Sequence, residues 1–187
     1  MNTCLIGFNL TNFLLAVLLS KIGFEVDIVF DEKNKSKSNN RTIGISKKNI
    51  QFLKSILNIP NQYLWPIFQI EILNLKNNPS TKIKFRDNKD ENFFLIKQRA
   101  LFQLSEKKCK QLKNIYFSKC TPNEILKLEK INNYNLVVNS QSNNILIKKF
   151  FSNSIKKDYD SMAFTAILDH KKIIITQLSK FLQNMDL

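Results

Sequence analysis

The residues with the most chemical potential fall in one hexapeptide, Gly7-Phe8-Asn9-Leu10-Thr11-Asn12. It joins an apolar run beginning at Cys4 to a second from Phe13 to Leu19, so it reads as a strand-to-helix turn. A turn of this kind cradles a pyrophosphate when it carries three glycines. One permits the tight turn, one lets the backbone approach the phosphates, and one lets the helix pack on the strand. Only Gly7 is present. Asn9 tolerates positive φ better than most residues, but its side chain enters the space a pyrophosphate needs. Asn12, at the third position, is expected to press the helix away from the strand. The acid that closes the second strand of such a unit, and binds ribose hydroxyls, falls by counting on Phe30, with Asp31 and Glu32 just behind it.

Other reactive types are sparse. Cys4, Cys109 and Cys120 are odd in number and widely spaced, which argues against a disulfide framework or a zinc site. Cys4 lies in an apolar strand, where a thiol behaves as a small hydrophobe. His170 is the only histidine and reads as a polar turn residue; Trp65, beside Pro66, reads as packing. No metal site and no nucleophile triad are expected.

The net charge of +14 raises the question of an anionic partner. Lysine supplies nearly all of it, since Arg41, Arg86 and Arg99 are the only arginines, and the arginine fork is what reads phosphate and guanine bidentately. The lysines are spread among asparagine and isoleucine as solvated positions, so no nucleic-acid partner is expected. Lys107, Lys108, Lys110 and Lys113, and a second group from Lys148 to Lys157, read as solvated helix faces. The run from Phe13 to Leu19 has no basic flank or cleavage site and is too short to span a bilayer, so the chain reads as soluble and cytoplasmic.

The elements that position the turn follow from periodicity. Cys4 to Phe8 is a buried strand, Asn9 or Thr11 caps a helix to about Ile22, Gly23 stops it, and Glu25 to Phe30 is a second strand. Strand, helix and strand in about 30 residues make a right-handed crossover with parallel strands. Ser46 caps a helix with the stripe Ile50, Leu53, Ile56 and Leu57. Ile67 to Leu75 and Lys82 to Phe85 alternate as a hairpin, and Phe93 to Ile96 leads into a helix from Arg99 to about Lys113. Strands are expected at Ile115–Ser118, Ile125–Glu129 and Asn135–Val138, and a short helix from Asn143 to Phe151. Ser161 to Leu168 is expected to pair antiparallel with Lys172 to Gln177. The fold class is α/β, with 43% hydrophobic residues sufficient for a real core.

Read in order, the segments resemble a family. Gly7, Gly23 and Asp31 are followed by Arg41-Thr42-Ile43-Gly44-Ile45-Ser46, similar to an R-T-L-A-L-S segment. Arg99 and Phe102 match the start of an R-x-x-L-x-x-x-L helix, although Glu106 holds the second leucine position. Leu136-Val137-Val138-Asn139-Ser140-Gln141-Ser142 stands where the pattern is L-V-V-G-A-D-G, and Tyr159 to Ala163 echoes a Y-x-Q-T-A strand before a histidine turn near His170. The sequence resembles the FAD-dependent aromatic hydroxylases of ubiquinone biosynthesis, the 2-polyprenyl-6-methoxyphenol hydroxylase type. The resemblance implies a Rossmann-like FAD-binding domain over 1–66 and 92–152, and strands of a β-rich substrate domain over 67–91 and 153–187. It implies FAD as cofactor, with Gly7, Asn9, Asn12, Asp31, Arg41, Arg99 and Gln141 at the positions that contact it. Gln141 replaces an aspartate and Ser142 a glycine, and the family's G-D-x-x-H segment does not occur, so the chain is expected to be a truncated N-terminal half without catalytic residues of its own.

The implied function is that of part of a flavin-dependent monooxygenase acting on a polyprenylated phenol, weakened or inactive alone, with hydrophobic substrates drawing it to the inner membrane face. The alternative is a non-catalytic homologue or subunit that docks to a partner hydroxylase, another ubiquinone-pathway protein or a complementary C-terminal chain through an uncovered sheet edge. A lysine-rich binder of anionic surfaces is the second alternative.

Overall fold

The computed structural model describes residues 1–34, 41–74, 82–86, 93–125, 127, 134–141, 145–150, 157–158 and 177–182. Along the chain run β1 (Asn2–Ile6), α1 (Leu10–Lys21), β2 (Glu25–Phe30), β3 (Thr42–Ser46) and α2 (Lys47–Ile56). Next come β4 (Trp65–Ile67), β5 (Gln69–Asn74), β6 (Lys82–Arg86), β7 (Phe93–Lys97) and α3 (Gln98–Gln111). β8 (Ile115–Lys119), α4 (Pro122–Ile125), β9 (Leu136–Asn139), α5 (Ile145–Phe150) and β10 (Gln177–Leu182) complete the series. Two compact units result: Met1–Asn39 with Leu101–Ala166, and Asn40–Ala100 with Ile167–Leu187.

The first unit is α/β, built on a four-stranded sheet of order β8-β2-β1-β9. Every pairing in it is parallel, with Leu5 opposite Ile28 and Val138, and Ile28 opposite Phe117. The alternation of β1 and β2 explains its two apolar faces. On one face Leu5, Val26 and Ile28 are fully buried with Phe13, Ala16 and Val17 of α1. Phe8, Phe13, Phe30, Phe102 and Phe117 form an aromatic cluster there, with edge-on and tilted rings between 4.7 and 6.2 Å apart. Quadrupole attraction favours such angles over flat stacking. On the other face Cys4, Ile6 and Val29 pack with Leu146 of α5, and with Cys120, Tyr134 and Val137. The carboxylate of Asp27 accepts from Ser118 Oγ at 2.7 Å and Tyr134 Oη at 2.8 Å, tying β8 and the approach to β9 to β2.

Helix α1 is apolar nearly all round, as a helix covered on most sides must be. It ends in a Schellman motif. Gly23 N–H donates to Ser20 C=O and Phe24 N–H to Leu19 C=O, both at 3.1 Å, with Gly23 at φ +87°.

The second unit holds two small sheets. In the first, β7 lies between β3 and β4, antiparallel to both. Pro66 sits in the edge strand β4, where a missing N–H is tolerated. In the second, β5 pairs antiparallel with β6 and parallel with β10. Ser46 Oγ caps α2, and Ile50, Leu53 and Ile56 are its buried stripe, as their spacing predicts.

Three sequence expectations need correction. Ile125 does not open a strand but closes the helical turn α4. Thr121-Pro122-Asn123-Glu124 is a capping box: Thr121 N–H donates to Glu124 Oε2 at 2.8 Å and Glu124 N–H to Thr121 Oγ1 at 3.4 Å, with proline at the first helical position. Second, the residues from Gln177 to Leu182 form β10, parallel to β5, where no strand was expected beyond Gln177. Third, β3 and β4 are strands that periodicity did not announce, because each is short and settled by its pairing with β7. Ser161–Leu168, Tyr159–Ala163, His170, Ser142, Lys172 to Thr176 and, of the strand expected at Ile125–Glu129, residues 126, 128 and 129 lie outside the described residues.

Two predictions arise. A Cβ at Gly23 meets nothing within 4 Å, so Gly23→Ala should cost only the backbone term of a left-handed residue, about 1–2 kcal/mol, read as a lowered urea midpoint at unchanged slope. An unmoved midpoint would contradict the cap. Burial, then the nearby Asp27 and Cys120, pushes the Cys4 thiol up to about 12 from 9.0, and burial, then Glu106, does the same for Cys109. Their contribution to stability is complete below the unfolded value and is lost as pH rises from 9.0 towards about 12. Alkylation of the native chain at pH 8 should therefore reach the half-buried Cys120 first, and equal labelling of all three cysteines would contradict this packing.

Candidate functional site

The C-terminal ends of β1, β2 and β9 meet at one edge of the parallel sheet, the position at which open α/β sheets bind ligands. Between the end of β1 and the start of α1 the chain has three residues, Gly7, Phe8 and Asn9, in which to reverse direction. Gly7 does this at φ +122°, with its N–H donated to Val29 C=O at 2.8 Å. Phe8 turns inward to the aromatic cluster.

Asn9 does not use a positive φ. It is extended, at φ −149°, and is the N-cap of α1. Its Oδ1 accepts from Asn12 N–H at 3.1 Å and its C=O from Phe13 N–H at 3.1 Å. Its Nδ2 donates to Ser140 Oγ at 2.6 Å. Ser140, just past β9, in turn donates from both N–H and Oγ to Ile6 C=O, at 3.2 and 3.3 Å. The side-chain amide of Asn139 brackets Gln141, accepting from its N–H at 3.2 Å and donating to its C=O at 3.3 Å.

Asn12 is fully buried. Its Nδ2 donates to Gly7 C=O at 2.8 Å, so the side chain expected to press the helix away lies instead between helix and turn and links them. The accommodation is incomplete, because Asn12 Oδ1 is buried with no hydrogen-bond partner among the described residues, an arrangement that costs about 1–3 kcal/mol.

Gly7, Asn9, Asn12 and Gln141 are thus brought together, and Asp31 stands half-buried just past β2 in the same unit, its Oδ1 accepting from Lys33 N–H at 3.0 Å. Arg41 and Arg99 belong to the second unit and are exposed. Arg41 Nε donates to Gln98 Oε1 at 2.6 Å, while Gln98 N–H donates to Arg41 C=O, so this arginine fixes the entry to α3. Arg99 lies in the first turn of α3. Ser140 is the contributor that motif reading passed over. It stands beside Gln141 in the same segment, and a hydroxyl one residue past a strand end was the available signal.

A dinucleotide's pyrophosphate needs open space against Gly7. A Cβ placed there would meet Asn9 Nδ2 at 2.9 Å, Gln141 Cγ at 2.9 Å and Ser140 Oγ at 3.1 Å. Of the N–H groups at the start of α1 without an intrahelical partner, that of Asn12 is already taken by the Asn9 side chain, and positions 7–12 hold no cation. In this arrangement the residues present do not fit a pyrophosphate. Among the described residues no group of His, Cys, Asp and Glu could hold a metal ion, and no helix is long and apolar enough to cross a membrane.

No family model matches the sequence, and comparison with the curated proteins finds no match. Solved structures do match in fold. One is p-nitrophenol 4-monooxygenase PnpA from Pseudomonas putida DLL-E4, at 14% identity and a TM-score of 0.51, over 63% of this chain and 31% of that one. Another is PqsL from Pseudomonas aeruginosa, a probable FAD-dependent monooxygenase. In its complex with 2-aminobenzoylacetate it matches at 12% identity and a TM-score of 0.50, over 64% of this chain and 33% of that one. The chain therefore has the α/β fold of these monooxygenases and spans about a third of their length.

Gly7→Ala tests the geometry. Strain at positive φ costs about 1–3 kcal/mol by itself, and contacts at 2.9 Å add to it. The loss of stability should exceed that of Gly23→Ala, whose Cβ meets nothing. An equal or smaller loss would mean that the turn is open.

Proposed function

We propose that the chain is the dinucleotide-domain part of a flavin-dependent monooxygenase, that FAD is the cofactor to which its cradle corresponds, and that its hold on FAD is weak. The observation that carries this reading is the meeting of the Gly7 turn with Ser140 and Gln141 at the ends of two adjacent parallel strands. Those are the two places where the motif order of the resembled hydroxylases sets a flavin dinucleotide. Asp31, Arg41 and Arg99 are the further contacts in this proposal. No catalytic step is assigned to the chain, because its cradle does not accept the pyrophosphate as it stands.

The order of motifs from Arg41 to Gln141 supports a polyprenylated phenol of ubiquinone biosynthesis as the substrate class, and such a substrate would bring the protein to a membrane surface. Two thirds of each fold neighbour lies beyond the match, so a working site would need further polypeptide, whether continuous with this chain or supplied by a complementary one. The filled cradle favours one second reading: a non-catalytic homologue that keeps the fold and docks to a partner hydroxylase.

Titration of the purified chain with FAD, followed by flavin fluorescence, separates these possibilities. The expected dissociation constant is weaker than about 10 μM, corresponding to roughly −7 kcal/mol, and Asn9→Gly, which keeps most of the cap's stability, should tighten it. A stoichiometrically yellow chain as purified would refute weak binding. No signal from either protein at about 1 mM FAD would refute the cofactor and leave the non-catalytic reading.

A further inference from the structure

We infer that the chain carries its own occupant for the cradle: Asn9, Ser140 and Gln141 form a clasp that closes the ligand-free protein and must open before a nucleoside diphosphate can lie against Gly7. The inference rests on the reading of the 7–12 turn as a dinucleotide cradle.

The clasp joins segments 131 residues apart through the 2.6 Å bond from Asn9 Nδ2 to Ser140 Oγ. Both partners are held in place independently of that bond. Asn9 is fixed as the cap of α1 by Asn12 N–H, and Ser140 by its two bonds to Ile6 C=O. A bond between two preset groups loses little side-chain freedom on forming, so more of its strength appears as stability. Gln141 fills the remaining side, with its backbone bracketed by Asn139.

Closure and ligand binding compete for the same space and for the same donor. The point where a methyl group on Gly7 would stand is 2.9 Å from both Asn9 Nδ2 and Gln141 Cγ, and carbon atoms settle at about 3.5–4.0 Å. A phosphate group brought against Gly7 on that side needs Gln141 to withdraw and takes the Asn9 amide as a donor in place of Ser140 Oγ, which breaks the Asn9–Ser140 bond. The apparent affinity is then the intrinsic affinity multiplied by the fraction of open molecules. One partly buried hydrogen bond shifts such an equilibrium roughly two- to tenfold, so a variant that cannot close should lose stability and gain affinity by similar factors.

Asn9→Ser and Ser140→Ala test this in the full chain. Serine is itself a good N-cap, so the first keeps α1 capped while being too short to reach Ser140; the second removes the hydroxyl alone. Folding equilibria of the wild type, both single variants and the double variant form a cycle that isolates the pair. ADP, which carries the diphosphate without the flavin, is titrated against the same four proteins by calorimetry. The expected result is non-additivity of roughly two- to tenfold in the ligand-free cycle, with ADP affinity raised by a similar factor in Ser140→Ala. Additive effects would overturn the clasp. Non-additive stabilities with equal ADP affinity in all four proteins would overturn its role as a gate. Non-additive stabilities with no ADP binding by any variant would uphold the clasp and sink the dinucleotide reading beneath it.

Discussion

The structure of the first unit depends on what happens in the three residues between β1 and α1. A parallel strand must hand over to a helix that runs back across the same sheet, and Gly7 makes this possible at φ +122°. The reversal brings Phe8 inward, sets Asn9 as the helix cap, and leaves the Gly7 carbonyl to the amide of Asn12. Through Phe8 the turn is coupled to Phe13, Phe30, Phe102 and Phe117, and so to both helices on that face. Through Asn9 it is coupled to the end of β9. Cradle and core therefore share one segment, and a change at Gly7 acts on both.

This sharing explains how a turn with one glycine retains the fold. The second glycine is a steric permission that the fold does not need when no phosphate has to enter, and the third serves helix packing, where a bridging side chain stands in for it. Asn9 trades the open backbone for a helix cap and a cross-strand bond. Asn12 trades close helix packing for a bond to Gly7 C=O, at the cost of one buried oxygen without a partner among the described residues. The general α/β architecture survives because it rests on the alternation of β1 and β2 and on the aromatic cluster around Phe8, neither of which uses the side chains of Asn9 and Asn12.

The sequence disclosed most where local signals and burial agree. The βαβ start, the Gly23 cap, the α2 stripe and the run from β7 into α3 were all legible, because apolar period and capping residue point to the same element at each. At Ile125, apolar content suggested the start of a strand while Thr121, Pro122 and Glu124 encoded a helical turn, and the capping box prevailed. β3 and β4 were illegible for another reason: five and three residues carry little pattern, and what makes them strands is the neighbour β7. In the site, Gly7, Asn9, Asn12 and Gln141 could be located from motif spacing, but their hydrogen bonds could not. Whether an asparagine blocks, caps or bridges depends on where its amide points, which is set by partners 131 residues away as well as three.

A crystal structure of the purified chain, at a resolution that places side-chain amides, tests the central claim most directly. It should show Asn9 Nδ2 within hydrogen-bond reach of Ser140 Oγ, Gln141 lying over Gly7, and no phosphate between them. In crystals grown without added nucleotide, an open turn with Asn9 and Gln141 directed away from Gly7 would contradict the account.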